Sequence, residues 1–126
     1  MIRTVSLSNL CNVEKAGDLN FMIVRNLKAE IKGVSHLPSL APSQELYEFY
    51  LNHRNESDFD WFTPFSEAYQ KELETHEKDV GLKLVENYAR LGYTVNLICY
   101  CSSRQCHRTL VAQELRNRGL NVNEYD

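Results

Sequence analysis

The stretch Thr94-Val95-Asn96-Leu97-Ile98-Cys99-Tyr100 decides the fold. It is rich in β-formers and lies between two helical patterns, so it reads as a strand. On its amino side, Val80, Leu84, Tyr88 and Leu91 recur at helical spacing, and Gly92 stands where a helix would end. On its carboxyl side, a short loop beginning at Cys101 leads into a helix from His107 to Arg118, closed by Gly119. Helices separating strands in this order predict a largely parallel sheet.

Working outward, Ile2 to Leu7 alternates enough to be a strand, and Phe21-Met22-Ile23-Val24 reads as a buried strand with Arg25 at its exit. Residues Gly33 to Ser43 carry Pro38 and Pro42 and form a loop into a helix over Gln44 to Asn52. Leu46, Tyr47, Tyr50 and Leu51 mark the apolar side of that helix. The polar run His53 to Asp60 is a surface loop. Thr63-Pro64 then starts a helix, with threonine as cap and Phe65, Ala68, Tyr69 and Leu73 as its stripe. Gly81 offers a break before the next helical stretch, and Leu120 to Tyr125 reads as a last short strand. The expected architecture is one α/β domain over residues 1–126, a mostly parallel sheet covered by helices in a Rossmann-like, three-layer arrangement.

The chain's 126 residues suffice to bury a core without metal or disulfide staples. A hydrophobic content of 43% argues against disorder, and a net charge of −3 argues against a surface that coats nucleic acid. No apolar run approaches the roughly 20 residues that span a bilayer, so no membrane partner is expected. The amino end shows no secretory pattern, and the four cysteines are expected to be reduced thiols in a cytoplasmic protein, with Cys11 far from the rest.

The chemistry is concentrated after the central strand. Cys101 begins the loop, and the helix that opens near His107 offers free N–H groups at Cys106 to Thr109. Arg104 and Arg108 add guanidiniums and Thr109 a hydroxyl, so the loop is a candidate anion site. The same field favours thiolate over thiol, which makes Cys101 a candidate nucleophile. Arg108 is placed as an exposed first-turn residue able to grip a phosphate with two hydrogen bonds. His107 and Arg25 are candidate assistants, Arg25 on the condition that its strand runs parallel to the central one. Cys99, within the strand, reads as a buried small hydrophobe.

Two groups of residues carry a family resemblance. One is Pro42-Ser43-x-Glu45-Leu46 with Asp60-Trp61-x-x-x-Phe65-x-x-x-Tyr69-x-x-Glu72-Leu73; the other is an apolar strand followed by Cys106-His107-Arg108 opening a helix. With the early strand ending in Arg25, these make the chain resemble the domain-of-unknown-function 488 family, the YeaO-like proteins. The resemblance implies a fold and no activity. Those proteins often follow the early strand with a tryptophan-proline-arginine-glycine turn, where this chain has Asn26-Leu27-Lys28-Ala29. The run from Cys101 to Arg108 also looks like the phosphate loop of protein tyrosine phosphatases, with one residue too many between cysteine and arginine.

The favoured function is binding of a phosphate-bearing small molecule or nucleic-acid end at Cys101 to Thr109, with Cys101, His107 and Arg108 in catalytic positions and Arg25, Arg104, Cys106 and Thr109 holding the ligand. No motif names a cofactor. A metal or redox site at the same cysteines is the rival. It suffers from spacing: Cys99 and Cys101 would sit about 6.6 Å apart on a strand, whereas two zinc-bound sulfurs lie within about 4.6 Å. A third class is a protein partner held by acidic helical surface between Glu67 and Glu86.

Overall fold

A computed structural model describes residues 1–12 and 18–125, leaving the side chains of Cys11 and Asn12 outside the description. Five strands form one sheet: β1 Ile2–Ser6, β2 Leu19–Met22, β3 Ser35–His36, β4 Val95–Cys99 and β5 Val122–Tyr125. Their order across the sheet is β3-β2-β4-β1-β5, and every neighbouring pair is parallel. The central reading holds: all five residues of β4 are buried. Such a strand between two parallel neighbours has both faces covered, which is why it reads as a continuous apolar run.

Among the described residues the α-helices are, in chain order, α1 Gln44–His53, α2 Phe62–Glu72 and α3 His76–Arg90, all before β4, and α4 His107–Asn117 between β4 and β5. Leu46, Phe65, Leu82, Val85, Val111 and Leu115 pack in one core with Ile2, Val95 and Leu97 of the sheet. Val5, Met22 and Ile98 point to the other face, where Leu7, Leu10, Leu27 and Val34 form a thinner cover. The third layer of this α/β fold is therefore a 3-10 turn over Leu7–Asn12 and the loop after β2. Among the described residues, no helix is long and apolar enough to cross a membrane.

Several local expectations are corrected. The break between α2 and α3 falls at Leu73 to Thr75, not at Gly81. Gly81 lies inside α3, where a Cβ would meet Ser39 Oγ at 2.5 Å and Leu40 Cδ2 at 3.0 Å, so the helix approaches the turn before α1 too closely for a side chain. That approach rotates α3: Lys78, Gly81, Leu82 and Val85 face inward, while Val80 and Leu91 are 52% and 74% exposed. Leu51 of α1 is likewise exposed. Helix α2 starts one residue before Thr63, and the cap is the Asp60 carboxylate, which accepts from the Thr63 amide at 3.3 Å and from its hydroxyl. Gly92 and Gly119 do end their helices, with φ of 97° and 87° that other residues rarely adopt. The short strand β3 lies inside the stretch expected to be loop.

Candidate functional site

All strands being parallel, their carboxyl ends share one edge of the sheet. From β2 the chain moves outward to β3, and from β4 it crosses to β5 on the other side of β1. The crevice between β2 and β4 is thus a topological switch point, the place where α/β sheets receive ligands. A cavity of about 170 Å³ opens there. Val24 and Arg25 after β2 and Cys99 to Cys101 after β4 contribute to its walls, so Arg25 and Cys101 converge as parallel strands require. Arg25 is anchored by a 2.8 Å hydrogen bond from its Nε to the Pro42 carbonyl.

The cysteines form a compact group. The strand ends at Cys99, so Cys101 is not held in extended register with it. The sulfurs of Cys99, Cys101 and Cys106 all lie within 4.8 Å of one another, with Cys99 Sγ and Cys106 Sγ 3.1 Å apart. This overturns the spacing argument made from an ideal strand: the three sulfurs are close enough to share an ion. Their surroundings are cationic, however, because Arg108 Nη1 already lies 3.0 Å from Cys99 Sγ. In the structure the positive charge beside the sulfurs is that guanidinium, and the three residues form a cluster of free thiols.

Protons are unevenly shared in it. Hydrogen bonds from Cys106 and Cys99 hold the Cys101 thiol well below its ordinary range, against the opposing effect of burial, and the Tyr50 hydroxyl at 3.2 Å helps. Cys106 is pushed up, chiefly by its bond to Cys101 and then by Cys99 and burial. Cys99 is raised for the same first reason. Of the three, Cys101 is thus the thiol that ionises most easily. Tyr50 in turn is pushed up to about 12 by burial and by its bond to Cys101, so it stays a phenol and donates.

His107 is buried, and burial lowers its pKa to about 4. Its Nε2 lies 2.5 Å from the Ile23 carbonyl and must donate to it, which leaves Nδ1 as an acceptor facing Cys106 Sγ at 3.6 Å. The imidazole borders the cavity, and its one N–H is committed to the Ile23 carbonyl.

Arg108 departs most from expectation. It is 2% exposed rather than a surface residue, and it does not line the cavity. A side chain in the first turn of a helix points back toward the preceding loop. Here that direction leads under the cysteines, where Nη1 donates to Cys99 Sγ and to the Cys101 carbonyl, while Nη2 is buried without a partner among the described residues. Arg104 and Thr109 also stay out of the cavity lining. The Arg104 carbonyl accepts from the Thr109 hydroxyl at 2.7 Å and from the Cys106 amide at 2.9 Å, so these residues close the loop.

The cavity's cations are instead Arg25, Lys28 and Arg54, and none of the described residues lining it is acidic. Tyr47, Tyr50 and Phe65 supply aromatic wall; Phe65, expected to be core alone, is both buried and cavity-lining. Arg54 stands over the Tyr50 ring at 5.6 Å, and Lys28 over the Tyr100 ring at 4.7 Å. Tyr50 and Arg54 come together because α1 runs one residue past the expected Asn52 and Arg54 caps it, one turn beyond Tyr50. Reading Tyr50 as core stripe concealed its part.

Fold and site together define an α/β protein with a buried thiol cluster in a cationic, aromatic-walled crevice. The chain belongs to the domain-of-unknown-function 488 (YeaO-like) family: the family model described as the active DUF488-N3 subclade matches residues 2–119. No curated protein and no solved structure matches it. The family-like segments meet in space, since the amide and hydroxyl of Ser43 donate to the two carboxylate oxygens of Glu72 at 2.9 and 2.5 Å.

Proposed function

We propose that this protein binds a phosphate-bearing ligand, a nucleotide or nucleic-acid end, in the crevice between β2 and β4, with Cys101 as the nucleophile facing it. The observation that carries this reading is the convergence of Arg25, Lys28 and Arg54 around a depressed-pKa cysteine with no acidic residue among the described lining residues. Three cations around a small crevice attract a dianion and hold it beside Cys101. The tyrosines give a base or sugar a flat surface to rest against. Arg108 acts from beneath, fixing Cys99 and the Cys101 carbonyl, and the subclade's description as active accords with chemistry at the thiolate. A reducing, cytoplasmic location would keep that thiolate available.

The acidic-surface reading receives less support. Within the surface between Glu67 and Glu86, Asp79 pairs with Lys83 and Arg118, and Glu86 with Arg90 and Arg118, which neutralises part of it. The test is protection: inorganic phosphate and a nucleoside monophosphate should slow iodoacetamide labelling of Cys101 and raise the melting temperature. Labelling at an unchanged rate with millimolar phosphate present would overturn the anion site.

A further inference from the structure

We propose that Cys101 accepts the outer sulfur of a thiosulfate-type dianion, becomes a persulfide, and hands that sulfur to a thiophilic acceptor. This rests on the reading of the crevice as an anion site with Cys101 as its nucleophile, and it goes beyond the phosphate ligand by naming a second class of anion and the bond that is broken in it.

Cleaving a phosphate ester of an ordinary alcohol near neutral pH calls for a group that protonates the leaving oxygen. The described lining residues include no carboxyl group, and the N–H of His107 is committed to the Ile23 carbonyl. Tyr50 directs its hydroxyl at Cys101 Sγ itself. A leaving group that departs as a stable anion has no such requirement, and sulfite is one.

The remaining features suit sulfur. A thiolate is a soft nucleophile and reacts readily at divalent sulfur, as in disulfide exchange. The sulfonate end of thiosulfate is tetrahedral and anionic like phosphate, so Arg25, Lys28 and Arg54 can hold it. A cavity of about 170 Å³ fits a compact ion of this kind. Beneath it, the Cys99 and Cys106 sulfurs lie within 4.8 Å of Cys101 Sγ, and Arg108 supplies a buried positive charge whose Nη2 has no partner among the described residues. Thiol and guanidinium donors around Cys101 favour the anionic persulfide over the neutral form.

The step balances. Cys101 Sγ⁻ attacks the outer sulfur, a new S–S bond forms, the S–S bond of thiosulfate breaks, and its electron pair leaves with sulfite. No proton moves. A nucleophilic acceptor then attacks the terminal sulfur of the persulfide and restores the Cys101 thiolate; cyanide serves as that acceptor in the assay and leaves as thiocyanate.

The reduced full-length protein is incubated with thiosulfate, desalted and digested. The peptide holding Cys101 should gain the mass of one sulfur atom, and cyanide should remove it with release of thiocyanate. Cys101→Ser should form no thiocyanate. Mapping the added sulfur on the unaltered protein makes the result independent of how well that variant folds. Sulfur found on Cys99 or Cys106 in place of Cys101, or none at all, overturns the proposal. Inorganic phosphate is run in parallel as a protector against iodoacetamide. If phosphate protects Cys101 while thiosulfate leaves it unmodified, sulfur transfer falls and the anion site stands; if phosphate gives no protection either, both fall.

Discussion

Arg108 Nη1 lies 3.0 Å from Cys99 Sγ, at the base of the crevice and out of reach of its solvent side. The relationship turns an expected ligand-gripping arginine into a strut between the first turn of α4 and the end of β4. Substitution should therefore affect folding. Arg108→Met removes hydrogen bonds from a charged donor, each worth about 1.5–3 kcal/mol, and urea denaturation should show a loss of that order. Arg108→Lys should recover only part of it, because an ammonium cannot reproduce the planar fork. Unchanged stability in both variants, with phosphate protection lost, would return Arg108 to the ligand.

Cys101 should be the first cysteine alkylated among Cys99, Cys101 and Cys106. It alone of the three is partly exposed, and hydrogen bonds from Cys106 and Cys99 keep it ionised where an ordinary thiol is protonated. Its labelling rate should change little between pH 8 and pH 6, whereas a free thiol would slow about a hundredfold over two units below its pKa. Peptide mapping after brief iodoacetamide treatment reads both quantities. Equal labelling of Cys106 would contradict the assigned proton distribution.

Arg54, near the start of the polar run that follows α1, borders the cavity and lies over Tyr50. Arg54→Ala should weaken phosphate protection of Cys101 severalfold and reduce its sensitivity to added salt, since one exposed cation fewer faces the anion. It should barely move the melting temperature, because surface changes of this type fall within about 0.5 kcal/mol.

The strands other than β3 and most helix ends were legible because they depend on neighbours in sequence. An apolar run makes β4, and a glycine with positive φ ends α3 and α4. What escaped depends on contacts distant in sequence. Nothing local says that Gly81 admits the turn at Ser39 and Leu40, and that approach decides which face of α3 is buried. Nor does spacing reveal that the chain turns after Cys99 and gathers three sulfurs, since an ideal strand would hold Cys101 away. The arginine of a first turn is equally ambiguous until the loop it points toward is known.

Ser43 and Glu72 are a case in which the sequence pattern was visible and its cause was not. The Ser43 hydroxyl caps α1 by accepting from the Leu46 amide at 3.2 Å while donating to Glu72. Lys78, buried at 3% exposure, lies 3.7 Å from the same carboxylate. Ser43→Ala loses the cap and one carboxylate bond together and should cost about 1–2 kcal/mol. Thermal denaturation measures it. Glu72→Gln should cost more, because it leaves the buried Lys78 charge without its partner.

The last prediction is a pH dependence set by His107. An imidazole in the unfolded chain takes up its proton near pH 6.5, whereas burial holds the folded one neutral down to about 4. Above pH 6.5 both states are neutral and the residue adds no slope. Between 6.5 and 4 the unfolded state binds a proton that the folded state refuses, so stability falls as the pH falls. Across that window the loss approaches roughly 3 kcal/mol at 1.36 kcal/mol per pKa unit. The Cys101 thiolate contributes a slope of its own in the same direction over a wider range, and the depressed carboxylates Asp60 and Asp79 act below their ordinary value of 3.8. The quantity to read is therefore the difference between wild type and His107→Gln, whose amide can donate to the Ile23 carbonyl but does not ionise. Chemical denaturation at steps from pH 8 to pH 4 should give a difference that is constant above about 6.5 and shifts in favour of the variant below it. A difference that stays constant down to pH 4 would mean that His107 takes up its proton in the folded protein as readily as in water, and that the imidazole is not sealed between Ile23, Cys106 and Tyr69.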